Sequence, residues 1–260
     1  MLLNYRQYSK KGTPLLILHG LFGSLSNWGW HSKQLAEHFA VYGVDLRNHG
    51  DSFHDGELNY QLMANDVRQL MGSLKIESCY MIGHSMGGKV AMQLALNHPD
   101  LIEKLIVVDI APVAYSVESG GHVNVMAGMN SLNFELIRNR ADAEEKLGKF
   151  IQDESTRKFI LTNLKRNENG RYQWRLNLPA IEDHYDELRG NLSIDSTFSK
   201  PVLFVKGALS DYIQAQYEKE ILRLFPAARV KIIMQAGHWL HAEKPQAFQK
   251  VAMNFLQEAV

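Results

Sequence analysis

The sequence has a single cysteine, Cys79, among its 260 residues, so no disulfide can form within the chain. A fold held together by internal disulfides is excluded, and a reducing compartment fits this composition. Neither sign of charge is in excess, since 28 Lys and Arg residues balance 28 Asp and Glu residues. We therefore expect no electrostatic attraction to nucleic acid or to an anionic membrane.

Long hydrophobic runs are absent as well. No apolar run approaches the roughly 20 residues that a membrane-spanning helix needs. The N-terminal segment MLLNYRQYSKKG has neither the apolar stretch nor the small-residue cleavage pattern of a signal peptide. The sequence therefore predicts a soluble, cytoplasmic protein without a membrane partner, and it gives no prediction of oligomeric state.

What the sequence does contain is a regular alternation of short apolar runs and helical patterns. Six runs are short, rich in leucine or β-branched residues, and end in a glycine or a polar turn signal, which is typical of buried strands. They cover residues 14–20, 40–46, 79–85, 104–112, 201–207 and 230–237. Between them, Met63, Val67 and Leu70 share one helical face, and a second apolar face follows Pro245. This alternation predicts an α/β protein with a mainly parallel, doubly wound sheet.

Residues 113–199 interrupt this alternation because they contain no strong buried-strand run. They carry polar helical patterns, one beginning with an Asp-x-x-Glu capping pattern at Asp142, a second over 154–166, and a short exposed strand over 171–176. We predict a core of residues 1–112 and 200–260, with a mostly helical cap over 113–199. The cap is either a lid or a set of packing helices, and the sequence does not separate the two.

The segment Gly83-His84-Ser85-Met86-Gly87 matches the G-x-S-x-G nucleophile elbow, and it lies between a predicted strand and a predicted helix. Glycines on both sides of the serine leave room for a tight, strained turn that exposes the serine hydroxyl. Five residues alone are a weak signal, but this context strengthens it. We predict Ser85 as the nucleophile and the Met86 N–H, at the helix N-terminus, as an oxyanion donor.

A serine hydroxyl needs a general base, and His238 is the candidate. It follows the last predicted strand and so lies at the sheet edge where Ser85 emerges. His241 is the near alternative, and a metal site built on this pair is disfavoured because no set of acidic or cysteine ligands lies beside it. Of the other histidines, His98 is predicted to end a helix. Surface positions are predicted for His31, His38, His54, His122 and His184.

Two aspartates could orient the histidine. Asp109 follows one predicted strand, and Asp211, next to Ser210, follows the next core strand. Each could instead be a turn or capping residue, and the pattern alone does not choose between them. The second oxyanion donor is predicted to be the Leu21 N–H, in a loop that we expect His19 to hold in place.

The chain resembles the α/β-hydrolase family in four segments, which follow one another in the order expected of that family. They are LHGLFGS, GVDLRNHGDS, IGHSMGG and AGHWLHAEKP. The segments DLRNHGDS and VVDIAPV make the chain similar to the bacterial YbfF-type esterase group, which acts on carboxyl esters and acyl thioesters. The resemblance implies an α/β-hydrolase fold with the cap inserted after the strand that ends at Asp109. It also implies Asp109 as the acid and Ser210 as a secondary partner of His238, with Asp211 in reserve, because the usual Gly-x-x-Asp register ends here at Ser210.

The predicted function is therefore a Ser-His-Asp hydrolase that cleaves carboxylic esters or acyl thioesters such as acyl-CoA, with no metal or organic cofactor. Alternatives are a C–C bond hydrolase or a cofactor-free haloperoxidase on the same fold, and a non-catalytic binding protein. The segment with Arg47, Asn48, His49 and Asp51 is interpreted as structural. The insertion carries six apolar residues that are candidates to line an acyl pocket, although we expect most of them to form the insertion's own core. They are Met126, Met129, Phe134, Leu136, Phe159 and Trp174. Trp28 and Trp30 are further candidates to face the site.

Overall fold

The computed structural model describes residues 1–117, 121–192 and 194–259. Its strands in chain order are β1 (Tyr5–Gln7), β2 (Pro14–Leu18), β3 (Ala40–Val44), β4 (Cys79–His84), β5 (Ile102–Val108), β6 (Leu164–Arg166), β7 (Tyr172–Trp174), β8 (Val202–Gly207) and β9 (Ala228–Ile233). Seven of them form one sheet in the order β1-β3-β2-β4-β5-β8-β9. All neighbours in it are parallel except β1, which pairs antiparallel with β3 at the edge.

All six predicted strands are present, and the predicted mainly parallel sheet is confirmed. The sequence analysis missed β1, whose three residues are all exposed. Its apolar pattern is therefore too weak to mark a strand, and backbone pairing with β3 defines it instead.

Helices cover both faces of the sheet, and further helices lie in the chain between β5 and β8. They are α1 (Gly29–Leu35), α2 (Tyr60–Ser73), α3 (Met86–Asn97), α4 (His122–Asn130), α5 (Arg140–Leu147), α6 (Glu154–Leu161), α7 (Leu178–Asp183), α8 (Tyr185–Arg189), α9 (Glu218–Leu224), α10 (Leu240–Glu243) and α11 (Pro245–Gln257). Short 3₁₀ turns add Leu25–Trp28, Pro99–Leu101 and Ala215–Tyr217. No helix in the described ranges has the length and apolar character needed to cross a bilayer.

Alternation along the strands gives the sheet two buried faces. Leu16 of β2 belongs to one hydrophobic cluster, which includes Val67 of α2 and Val90 of α3. Its neighbour Leu15 belongs to the other cluster, with Phe248 of α11. The sheet is therefore doubly wound, and its strands are apolar on both sides.

The chain between β5 and β8 carries the mostly helical cap, with α4 to α8 and the β6–β7 hairpin. The predicted capping pattern at Asp142 is wrong, because α5 begins at Arg140 and Asn139 is its N-cap, accepting from the Asp142 N–H. The Asn139 side chain lies just before the helix and is short enough to accept from the Asp142 N–H, as an N-cap does. Asp142 therefore lies in the first turn of α5 and does not cap it. The predicted helical pattern over 154–166 is correct only as far as Leu161, because Leu164–Arg166 is the strand β6, which pairs with β7. The predicted strand at β7 is present but half-buried. The division into residues 1–112 with 200–260 and 113–199 stays a prediction.

Polar contacts attach the cap to the sheet. Lys89 of α3 is buried, and its Nζ donates to the carbonyl oxygens of Val113 (2.8 Å) and Gly190. Arg175 donates to the Asp51 carboxylate through Nε at 2.9 Å. The segment interpreted as structural takes part in these contacts, since the Asn48 carbonyl accepts from the Asn177 N–H.

Candidate active site

Ser85 lies between the last residue of β4 and the first residue of α3, in a strained turn with φ of 50°. Its amide donates to the carbonyl of Val108 at 3.0 Å, which fixes the turn against β5. A Cβ on Gly83 would lie 2.3 Å from the Gly87 carbonyl oxygen, and a Cβ on Gly87 would lie 2.5 Å from the His19 carbonyl oxygen. Backbone segments approach so closely here that only glycine fits at both positions.

The turn brings Ser85 next to the predicted base. His238 Nε2 lies 3.0 Å from Ser85 Oγ, and His238 Nδ1 lies 2.8 Å from Asp109 Oδ2. Because a carboxylate only accepts, Nδ1 carries the proton in this contact and Nε2 is free to accept from the serine hydroxyl. The three side chains therefore form one hydrogen-bonded chain in the geometry of a nucleophile, a base and an orienting acid.

Asp109 is fully buried directly after β5, with φ of 51°. Its Oδ1 accepts from the Gly207 N–H at 3.0 Å, and its Oδ2 accepts from the Ser210 hydroxyl as well as from His238. Ser210 is thus a partner of Asp109 and not of His238 directly. Asp211 is exposed and has no hydrogen bond to His238 within the described residues.

The loop after β2 brings the Leu21 amide to the site. His19 Nε2 accepts from the Leu46 N–H at 3.0 Å, and its Nδ1–H donates to the Gly20 carbonyl at 2.8 Å. Burial lowers the pKa of His19, so the neutral ring holds the loop as expected. Leu21 and Met86 border the same small cavity as Ser85, and neither amide has a hydrogen-bond partner among the described residues. Two backbone donors are therefore available beside the serine.

Several histidines near Ser85 are buried rather than on the surface. The prediction of a surface position is wrong for His31, which is 3% exposed, whereas His122 is half-buried and lines the larger cavity. The prediction holds for His38 and His54, whereas His184 is half-buried and His98 caps the end of α3. Tertiary contacts override the polar character of His31 and His122, which hydrogen-bond within the fold, and burial lowers the pKa of both rings.

His84 is a site residue that the sequence analysis did not single out. Its Nε2–H donates to the backbone carbonyl of His238 at 3.0 Å. Burial, with the nearby rings of His241 and His238, holds the pKa of His84 well below its usual value, so the ring is neutral. The only available signal was its position directly before Ser85 in the elbow motif.

His241, the alternative base, has a different environment from His238. Its ring stacks on Trp28 with a centroid distance of 4.3 Å, and it makes no hydrogen bond to Ser85. Burial lowers its pKa to about 3. Across the described residues, no group of three or more His, Cys, Asp or Glu side chains is arranged to hold a metal ion.

Two cavities reach Ser85. The larger has a volume of about 440 Å³ and extends beneath α4 and α6 of the cap, while the smaller has about 40 Å³ and lies beside α3. Trp28 and Phe159 line the larger cavity, whereas Trp30 is exposed. The other apolar residues considered for an acyl pocket line neither cavity. Leu136 is exposed, and the rest belong to or pack against the hydrophobic core, namely Met126, Met129, Phe134 and Trp174.

Comparison with known proteins places the chain in a family. Residues 13–245 match the protein family described as alpha/beta hydrolase fold. The chain is 36% identical over 252 residues to esterase YbfF of Escherichia coli, covering 97% of this chain and 96% of that protein. It is 42% identical over 262 residues to the sn-1-specific diacylglycerol lipase ABHD11 of Danio rerio, covering 98% of this chain and 82% of that protein.

A solved structure described as a marine microorganism esterase superposes with a TM-score of 0.96 at 39% sequence identity, covering 98% of this chain and 99% of the other. The predicted resemblance to the YbfF-type group is therefore confirmed. This chain belongs to the alpha/beta hydrolase fold family.

Proposed function

We propose that the protein is a serine hydrolase that cleaves carboxylic esters through an acyl-enzyme intermediate, with Ser85 as nucleophile, His238 as base and Asp109 as orienting acid. The observation that carries the proposal is the continuous hydrogen-bonded chain from Asp109 through His238 to Ser85, at 2.8 Å and 3.0 Å. The esterase and lipase names of the relatives support esters as the substrate class.

In the proposed mechanism, Ser85 Oγ attacks the ester carbonyl carbon while His238 Nε2 takes the hydroxyl proton. Asp109 keeps the proton on Nδ1 and stabilises the imidazolium. The amides of Leu21 and Met86 donate to the oxyanion. The tetrahedral intermediate collapses, and the C–O bond breaks as His238 protonates the departing alcohol. Water then attacks the acyl-enzyme by the same route and releases the acid.

The proposal extends to acyl thioesters, including acyl-CoA, because the same attack on a thioester carbonyl expels a thiol that leaves more readily than an alcohol. No step needs a metal or an organic cofactor. A cytoplasmic location stays a prediction from the sequence.

The test is hydrolysis of p-nitrophenyl acetate and butyrate by the wild type, Ser85→Ala and Ser73→Ala. Ser73 is exposed at the last residue of α2 and lines neither cavity that reaches Ser85, so it is a matched control. We expect Ser85→Ala to lose at least about 1,000-fold in kcat/KM, with Ser73→Ala close to the wild type. A fluorophosphonate should label the wild type but not Ser85→Ala, with unchanged circular dichroism.

Equal activity of the wild type and Ser85→Ala would overturn the proposal. Labelling of Ser85 without turnover of any ester would favour the binding-protein alternative. Turnover of a C–C substrate or a halogenation substrate in preference to esters would favour the other enzymes on this fold.

A further inference from the structure

The two cavities meet at the nucleophile. Their linings share four residues, which are Leu21, Ser85, His122 and Tyr212. Beyond these residues, the cavities differ about tenfold in volume, with about 440 Å³ in one and about 40 Å³ in the other. A substrate carbonyl bonded to Ser85 therefore has a roomy space on one side and a tight space on the other.

The position of His238 determines which part of the substrate occupies each space. When the carbonyl oxygen points to the Leu21 and Met86 amides, the acyl chain and the alkoxy group extend in different directions from the carbonyl carbon. The alkoxy oxygen has to lie within hydrogen-bond reach of His238 Nε2, because it leaves with that proton. His238 lines the larger cavity and is absent from the lining of the smaller one.

We infer that the smaller cavity is the acyl pocket and the larger cavity holds the alcohol, so the enzyme selects esters of short acids with large apolar alcohols. This inference rests on the proposed function. The smaller cavity has about one tenth of the volume of the larger one, so it admits a short acyl chain such as acetyl or propionyl, whereas a bulky group fits only in the larger cavity.

The walls of the smaller cavity are held rigidly. The Tyr115 hydroxyl donates to the Tyr212 carbonyl at 2.6 Å and accepts from the Ala111 N–H at 2.8 Å. The hydroxyl of Tyr60 donates to the carbonyl of Leu188 at 2.5 Å. A longer acyl chain would have to displace these buried, hydrogen-bonded side chains, which costs the free energy of each broken bond.

The larger cavity has a mostly apolar lining as well, but it has more room. Phe159 and Trp239 pack against each other with a centroid distance of 5.1 Å, and further apolar walls come from Phe22, Trp28, Val125 and Ile160. An aromatic or aliphatic alcohol would bury apolar surface there.

The experiment uses two ester series. The first keeps p-nitrophenol and lengthens the acyl chain from acetyl to octanoyl, and the second keeps acetyl and enlarges the alcohol from phenyl to naphthyl. For the wild type, kcat/KM should fall at least about tenfold from propionyl to hexanoyl, a cost of about 1.4 kcal/mol. It should hold steady or rise from phenyl to naphthyl acetate.

Variants in the lining of each cavity distinguish the effect of the smaller cavity on the acyl series from that of the larger cavity on the alcohol series. Leu188→Ala enlarges the smaller cavity and should raise the hexanoyl-to-acetyl ratio of kcat/KM at least about tenfold while leaving the alcohol series unchanged. Ile110→Ala serves the same purpose should Leu188→Ala fold poorly. Ile160→Ala is the matched control in the larger cavity, and it should change the alcohol series alone.

A wild type that prefers octanoyl over acetyl esters overturns the cavity assignment, and so does an unchanged acyl profile in folded Leu188→Ala or Ile110→Ala. In both cases the serine hydrolase proposal stands, because Ser85-dependent turnover continues. Absence of turnover in both series overturns the proposed function itself.

Discussion

Asp109 shows how one residue is placed for a single task. Its carboxylate is removed from water, yet it accepts hydrogen bonds from Gly207, Ser210 and His238. A buried carboxylate costs free energy unless its oxygens are paired, and here three donors pair them. The donors also set the direction in which Oδ2 meets the imidazole. Asp211, the reserve candidate, is exposed and takes no part in this arrangement.

The orienting role that we propose for Asp109 gives a specific prediction. Asp109→Asn places an amide opposite His238 Nδ1, which favours the wrong tautomer of the ring, so kcat/KM should fall about 10⁴-fold. The measurement is steady-state hydrolysis of p-nitrophenyl acetate, with thermal unfolding as the check on folding. Asp211→Asn is the matched control and should stay close to the wild type. A large loss in Asp211→Asn with little effect of Asp109→Asn would reverse the assignment.

At the scale of elements, the β4–turn–α3 unit depends on backbone contacts that leave no room for side chains. Gly83 faces the Gly87 carbonyl across the turn, and Gly87 faces the end of β2. These contacts hold Ser85 at positive φ, a conformation that costs free energy and persists only where the surroundings enforce it.

Substitution of these glycines should therefore reduce stability sharply. Gly83→Ala would put a Cβ at 2.3 Å from a backbone oxygen, so the turn must shift, and we expect a loss of at least about 2 kcal/mol in the free energy of unfolding. Gly72→Ala is the contrasting variant, because Gly72 lies in α2 with nothing within 4 Å of the added methyl. It should gain about 0.5–1 kcal/mol from helix propensity. Urea unfolding measures both, and equal stabilities of the two variants would contradict this interpretation.

At the scale of the whole molecule, the fold keeps a set of histidines in the neutral form. Burial is the largest cause of a lowered pKa for His19, His31, His49, His84, His122 and His241. The lowered values are about 3 for His49 and His241 and about 4 for His122. In the unfolded chain the same rings titrate near their ordinary pKa of about 6.5.

Stability should therefore fall as the pH drops below about 6.5, because the unfolded chain then binds protons that the folded chain does not. The stabilisation is complete above this pH and is lost progressively toward the folded-state values of about 3 to 4. Each histidine contributes up to about 1.4 kcal/mol per pH unit in this window. His184, whose pKa is raised through its contacts with Glu187 and Gly56, acts in the opposite direction but is a single group.

Urea unfolding at about pH 7.5, 6.5, 5.5 and 5 tests this prediction. Burial lowers the pKa of Lys89 to about 7, so this lysine contributes at the upper end of the range and the histidines dominate the slope below about pH 6.5. A free energy of unfolding that stays constant across it would show that these rings are protonated inside the fold.

The fold class and the Ser85 turn could be read from the sequence because both depend on local patterns. Apolar runs with turn signals marked the six core strands, and the glycines around Ser85 marked the elbow. The β1 strand was not predicted because its three residues are exposed and do not form an apolar run. The capping pattern at Asp142 gave a wrong helix start because Asn139, three residues earlier, is the N-cap and its side chain accepts from the Asp142 N–H.

By itself the sequence determined the alternation of strands and helices, the position of the elbow and the family resemblance. Only the tertiary structure decided that Asp109 rather than Asp211 contacts His238, that His84 supports the His238 backbone, and that unequal cavities flank Ser85. The physical reason is distance along the chain. Ser85 and His238 are 153 residues apart, and contacts of that range depend on how the strands and cap pack, which no local period specifies.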